Sequence, residues 1–165
     1  MSTESSQSSA LRRVRTIADF QFGKGAGEGL FPEGCEYTRS NTGRIRQILY
    51  HKVRLATLRA QDGRLTLSID GAARLKAALS VPSYRVTIQE DVAEFPRKGK
   101  NVFAKHVTAA DPAIRSGDEV LVVTTEDNLL ATGTAVLSGE EMLHFKYGVA
   151  VHVRQGCESE CFQEE

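Results

Sequence analysis

The side chains in this sequence best suited to chemistry are basic, and they fall into two clusters. Residues 37–61 contain no acid, yet they carry Arg39, Arg44, Arg46, Lys52, Arg54 and Arg59, with His51 among them. On an extended segment, Arg44 and Arg46 share one face by the two-residue period, which sets two guanidiniums side by side. Such a pair suits phosphate oxygens, because phosphate contacts by Lys and Arg supply much of nucleic-acid affinity through counterion release. The alternative is a solvated outer face whose charges pair with acids elsewhere. The second cluster runs Arg97-Lys98-Gly99-Lys100-Asn101 and continues to Lys105 and His106. Gly99 permits close backbone approach, Lys98 and Lys100 suit phosphates, and Asn101 can donate to a base or a phosphate. His106 as a phosphate donor competes with a surface histidine of no role. Phe103 could stack on an unpaired base, but an apolar residue between Val102 and Ala104 reads first as core.

Covalent and metal chemistry are poorly served. Cys157 and Cys161 lie four apart with no second pair, and Cys35 is alone, so no metal site is expected. Cys35 follows Gly34 in a loop, with no base at a motif spacing; triad partners meet only in the fold. Gly23, Gly25, Gly27 and Gly29 form a Gly-rich stretch without the Gly-Lys-Ser/Thr ending of a phosphate loop, and it follows no strand. It reads as a connector, flexible or tightly packed. No cofactor and no catalytic residue is expected.

The elements that must hold these clusters can be read from periodicity. Leu11, Val14, Ile17, Ala18 and Phe20 repeat at helical spacing, so a helix is expected from Leu11 to about Gly23. Residues 44–50, 53–58 and 65–69 alternate as strands, the last two joined at Asp62-Gly63, which suits a hairpin. Asp70 is placed to cap a helix over 71–80 that buries Ala73, Leu75, Ala78 and Leu79. Val81-Pro82-Ser83 breaks that helix and marks a domain boundary. Beyond it, segments 84–88, 101–107, 119–123, 129–137 and 149–153 suggest a small, partly closed β-barrel. A helical turn is expected near Asp111, with Pro112 at its first position. Arg85 and Arg154 lie on presumed strands that could line a groove, and Gly133 is either a close-approach position or a turn glycine.

Composition bounds the rest. The 165 residues are 41% hydrophobic and 25% charged, ordinary for a soluble globular protein of one domain or two small ones. The 21 basic and 21 acidic side chains cancel, so any nucleic-acid ligand must be attracted by local charge placement. No apolar run is long enough for a membrane span. Residues 1–10, rich in Ser and Gln, read as a disordered leader, not a signal peptide. The odd number of cysteines argues against a secreted disulfide scaffold, and cytoplasm is the expected location. Residues 157–165 read as an acidic tail.

Taken in order, the segments Gly99–Val107, Ile114–Asp118, Leu130–Ala135, Glu141-Met142 with Phe145, and Gly148–Arg154 resemble the PUA domain in its archaeal form. Upstream, Ala18–Gly23, Thr42–Arg46, and Leu55–Gly63 through Gly71-Ala72 resemble the pre-PUA domain of archaeosine tRNA-guanine transglycosylase and its relatives. The resemblance spans residues 11–156. It implies an α+β chain: a small αβ pre-PUA domain over 11–81, then a PUA-like β-barrel over 84–156. It implies structured RNA as ligand, tRNA before rRNA, with the loop carrying Lys100 and Lys105 at the RNA. The chain leaves no room for the enzymes' catalytic barrel. The expectation is a non-catalytic RNA-binding protein accessory to RNA modification or ribosome maturation. The alternatives are an RNA-targeting subunit of a multi-chain RNA-modifying enzyme, or an enzyme acting on RNA itself.

Overall fold

The structure, a computed structural model, describes residues 2–158; Glu160, Cys161, Glu164 and Glu165 of the acidic tail lie outside the described residues. The chain divides into two compact units between Ser80 and Val81.

The first unit opens with α1 (Ser2–Phe22). The helix starts at Ser2 and not at Leu11, so residues 2–10 of the expected disordered leader form its first turns, and Ala10 is already buried. Ser and Gln cost little in a helix, and packing behind them supplies the nucleus they extend. Val14, Ala18 and Phe22, spaced four apart, form the buried stripe. Phe20, which the spacing placed on that stripe, is 94% exposed; Phe22 takes its place.

The Gly-rich stretch is a packed joint. It contains a short helix, α2 (Ala26–Leu30), whose Gly27 N–H donates to Asp19 Oδ1 at 2.7 Å. A Cβ on Gly27 would stand 2.2 Å from the Arg15 carbonyl oxygen, so only glycine lets α2 lie at backbone contact on α1.

Four antiparallel strands follow as a meander: β1 (Glu36–Arg39), β2 (Ile45–Tyr50), β3 (Val53–Leu58) and β4 (Leu65–Leu67). The β3–β4 hairpin turns at Asp62-Gly63, with Gly63 at φ +69°. At the β4 edge, Leu65 N–H donates to Gln21 Oε1 at 2.8 Å, and Gln21 Nε2 donates to the Leu65 carbonyl at 2.9 Å. The carboxamide of a helical residue thus satisfies an edge strand that would otherwise offer unpaired backbone groups. Helix α3 (Ile69–Ala78) is capped by Ser68, whose Oγ accepts from Gly71 N, and not by Asp70. A Cβ on Gly71 would stand 2.0 Å from the Leu55 carbonyl oxygen, so α3 rests on β3 through this glycine. That contact sets the helix's rotation: Ala72 and Leu75 are buried, while Ala73 and Ala78, expected inside, are exposed.

The second unit is built on one six-stranded sheet of β5 (Arg85–Ile88), β6 (Val102–Phe103), β7 (Val107–Ala110), β8 (Glu119–Val123), β9 (Leu129–Ala135) and β10 (Val149–Gly156). The spatial order is β6-β10-β9-β8-β5-β7, antiparallel throughout except for the parallel pair β5–β8. The edge strands β6 and β7 are joined directly by a 3-10 turn, Ala104–His106, which makes the sheet a nearly closed barrel. Ile88, Ile114, Val122, Leu130, Met142 and Val151 belong to its core. Burying each such side chain contributes roughly 1.5–3 kcal/mol. Two short helices complete the unit, α4 (Glu94–Arg97) and α5 (Gly139–His144). Helix α5 opens with a capping box: Ser138 Oγ accepts from Glu141 N, and Glu141 Oε1 accepts from Ser138 N at 3.0 Å. Hydrogen bonding from Ser138 holds the Glu141 carboxyl below its ordinary pKa. The α+β architecture agrees with the expected small αβ domain followed by a barrel. Among the described residues, no helix is long and apolar enough to cross a membrane.

Candidate nucleic-acid interface

In the second unit, the path from Ile88 through α4 to β6 and the 3-10 turn encloses an apolar pocket of about 390 Å³. Its wall includes Ile88, Val92, Pro96 and Val102, and its lining extends to Phe95, Phe103, Lys100, Asn101, Lys105 and His106. Phe103 is 45% exposed, so it is not the core residue its neighbours suggested. Val102 and Ala104 point inward and the strand alternation sends Phe103 outward. Phe95 is 56% exposed beside it in the lining and had no place in the sequence reading. The available signal was an isolated aromatic inside the charged run Glu94-Phe95-Pro96-Arg97.

The chain that carries the lysines is held by its backbone. Gly99, at φ +92°, reverses the direction after α4. Gly99 N–H donates to the Pro96 carbonyl at 2.9 Å and Lys100 N–H to the Phe95 carbonyl at 3.0 Å. Asn101 Oδ1 accepts from Val153 N at 3.0 Å, where β10 departs from regular pairing with β9. Its carboxamide oxygen therefore ties β6 to β10. Lys100 and Lys105 are exposed, and neither has an acidic partner among the described residues.

Lys98, Arg85, Arg154 and Gly133 make contacts within the protein. Lys98 pairs with Glu94 at 2.6 Å on the exposed face of α4; the hydrogen bond lowers the Glu94 pKa and raises that of Lys98. Arg85 does not line a groove: it is only 4% exposed, and its Nε donates to Asp127 Oδ1 at 2.7 Å. Arg154 grips the buried Glu119 with both terminal nitrogens and adds a bond to Thr134 Oγ1 at 3.1 Å. Gly133 is a close-approach position, but to its own barrel: a Cβ there would stand 2.0 Å from the His152 carbonyl oxygen.

In the first unit, Arg44 and Arg46 are exposed on either side of the buried Ile45. They line an open cleft of about 610 Å³ together with Arg13 of α1, Ser40 and Thr42 of the β1–β2 turn, and Arg59 and Asp62 of the β3–β4 turn. Arg59 pairs with Asp62 at 3.1 Å. Arg13, Arg44 and Arg46 have no acidic partner among the described residues. Arg13 is the member the sequence reading missed, because it comes from an element far away in the chain.

The cysteines sit in different surroundings. Cys35 is buried, its Sγ donates to the Pro32 carbonyl, and burial pushes its pKa up to about 11. Such a thiol is a poor nucleophile near neutral pH. Cys157 is exposed, while Cys161 lies outside the described residues. Among the described residues, no three of His, Cys, Asp and Glu come together as a metal site.

Residues 12–82 match the family described as the patch-forming domain C2 of tRNA-guanine transglycosylase, and residues 84–157 match the PUA domain. The tRNA-guanine(15) transglycosylase of Pyrococcus abyssi is 52% identical over 147 residues, which is 89% of this chain and 25% of the relative. That of Methanothermobacter thermautotrophicus is 48% identical, over 88% of this chain and 22% of the relative. The chain thus spans about a quarter of the length of these curated relatives, in their C-terminal region. Among solved structures, a hypothetical protein of Pyrococcus horikoshii superposes with a TM-score of 0.71 at 21% identity, covering 91% of each chain. A PUA domain protein of Thermoplasma acidophilum gives 0.60 at 21% identity, covering 88% of this chain and 92% of that one; these two likenesses establish the fold. The chain therefore consists of a C2 domain of the tRNA-guanine transglycosylase type followed by a PUA domain.

Proposed function

We propose that this chain is a non-catalytic RNA-binding protein that takes an unpaired segment of a structured RNA, tRNA before rRNA, into the pocket of its PUA unit. One observation carries the reading: an apolar pocket lined by two exposed phenylalanines and by two lysines that no acid among the described residues neutralises. Bases stack on aromatic faces whatever their sequence, and Lys100 and Lys105 supply the phosphate contacts. Asn101 and His106 add hydrogen-bonding groups to the same lining. The relatives' names mention tRNA, which supports testing tRNA before rRNA. The role proposed is accessory to RNA modification or ribosome maturation, in the cytoplasm.

The test is binding of the purified chain to total tRNA across a salt series. Sub-micromolar affinity with a steep negative log–log slope supports the reading. K100A/K105A should weaken binding and flatten the slope without lowering Tm. Equal affinity in that variant removes the assignment, and no binding by the intact chain at low salt removes the reading.

A second reading has one observation in its favour. The chain corresponds to about a quarter of relatives named as transglycosylases, so it also fits an RNA-targeting subunit of a multi-chain RNA-modifying enzyme. Co-purification of a catalytic chain that survives nuclease treatment would favour it. Loss of the partner after nuclease would mean that RNA merely bridged the two.

A further inference from the structure

We propose that the arginine cleft of the first unit is a separate site for the sugar–phosphate backbone of double-helical RNA, a division of labour that rests on the RNA-binding reading of the PUA unit. The two sites differ in chemistry. The pocket of the second unit offers exposed rings to unstacked bases, whereas no aromatic side chain lines the cleft. Its guanidiniums and hydroxyls, set beside Ile45 and Leu58, offer charge and hydrogen-bond donors in place of rings. These match what a paired strand presents outward, which is phosphate oxygens and ribose hydroxyls. Double-stranded RNA is recognised largely through those groups and through shape.

The cations are spaced and held for that task. Arg44 and Arg46 are two residues apart, so their side chains leave the backbone roughly 6–7 Å from one another, comparable with adjacent phosphates of one strand. Arg13 reaches the cleft from α1, adding a third cation from a different element. Both flanking turns are braced internally. Ser40 N–H donates to the Arg44 carbonyl at 2.8 Å, Arg44 N–H returns to Ser40 Oγ at 3.2 Å, and Arg39 Nη1 holds the Gly43 carbonyl at 3.0 Å. Across the cleft, Arg64 N–H donates to Asp62 Oδ1 at 3.0 Å, while the other carboxylate oxygen holds Arg59. The one acid of the lining is therefore neutralised in place, and Arg13, Arg44 and Arg46 keep their charge for the ligand. Such preorganisation lowers the ordering cost of binding.

The experiment compares the intact chain, R13A/R44A/R46A and K100A/K105A on two labelled probes, a blunt-ended RNA hairpin and an unstructured RNA oligonucleotide. All three arginines are solvent-facing or on the cleft, and thermal melts of each variant check folding. The intact chain should bind both probes. R13A/R44A/R46A should lose at least tenfold in hairpin affinity, with its salt slope reduced by about 2–3, and should bind the oligonucleotide as before. K100A/K105A should show the converse preference. Unchanged hairpin binding by R13A/R44A/R46A, or an equal loss on both probes, overturns the assignment while leaving the PUA pocket standing. Failure of the intact chain to bind either probe overturns both.

Discussion

Gln21 presents its side-chain carboxamide to both backbone groups of Leu65, donating at 2.9 Å and accepting at 2.8 Å, forty-four residues away in the chain. The helix thereby stands in for a fifth strand. Replacing Gln21 with Ala leaves the Leu65 N–H and carbonyl without their partner, and such losses cost roughly 1–3 kcal/mol. Q21A should lower the Tm measured by circular dichroism. Q21E, which cannot donate while ionised, should lower it as well. A Q21A melt identical to that of the intact chain would mean that water replaces the clamp without loss.

Arg85 is a stability residue. Its guanidinium is buried against Asp127, whose side chain is 32% exposed. Removing one partner of a buried pair costs about 3–5 kcal/mol, and the partial exposure of Asp127 places R85A at the lower end. Urea denaturation should show that loss, while RNA affinity measured well below the transition stays unchanged. Intact stability with weakened RNA binding would return Arg85 to the interface.

Phe103 should contribute to binding and not to folding. Its ring is 45% exposed, so F103A removes little buried surface. Base stacking on an aromatic side chain is worth roughly 1–3 kcal/mol. Anisotropy titration with a single-stranded oligonucleotide should show a loss of that size in F103A, with restoration in F103Y. A loss of Tm in place of affinity would make the ring part of the packing.

Cys35 should make the fold sensitive to alkali. Its folded pKa is raised to about 11 from an ordinary 9.0 by burial, so the neutral thiol is the form the fold favours. The contribution is fully present below pH 9 and is lost as pH rises toward 11, by roughly 2–3 kcal/mol. The difference in unfolding free energy between the intact chain and C35A should shrink across that window. At pH 8, peptide mapping after brief alkylation should find Cys157 modified and Cys35 intact.

Much of the fold was legible because hydrophobic alternation is local. Residues 53–58 read as a strand and form β3 with those bounds, and Asp62-Gly63 supplies the hairpin it suggested. What escaped depended on contacts between distant segments. The rotation of α3 is fixed by Gly71 lying on Leu55, which no helical pattern contains. The start of α5 was readable in principle, since Ser138 and Glu141 have capping-box spacing, but the element is only six residues long. Among the basic residues, type and spacing brought Lys100, Lys105, Arg44 and Arg46 forward. Sequence could not tell a free cation from a committed one: Arg85, Lys98 and Arg154 carry the same charge and are each occupied by an acid. It also could not turn Phe103 outward or bring Arg13 to the cleft.

The two sheets differ in how soon each can be completed as the chain is made. In the first unit, spatial order equals sequence order, so every strand after β1 meets a neighbour already synthesised. In the second, β6 pairs only with β10, which also pairs with β9. Until residues 149–156 emerge, β6 has no partner and β9 keeps an open edge. Contacts of long sequence separation form late, and unpaired edges invite association with other chains. The apolar pocket, which depends on β6, thus comes into existence with the last strand, whereas the arginine cleft is complete once β4 is in place.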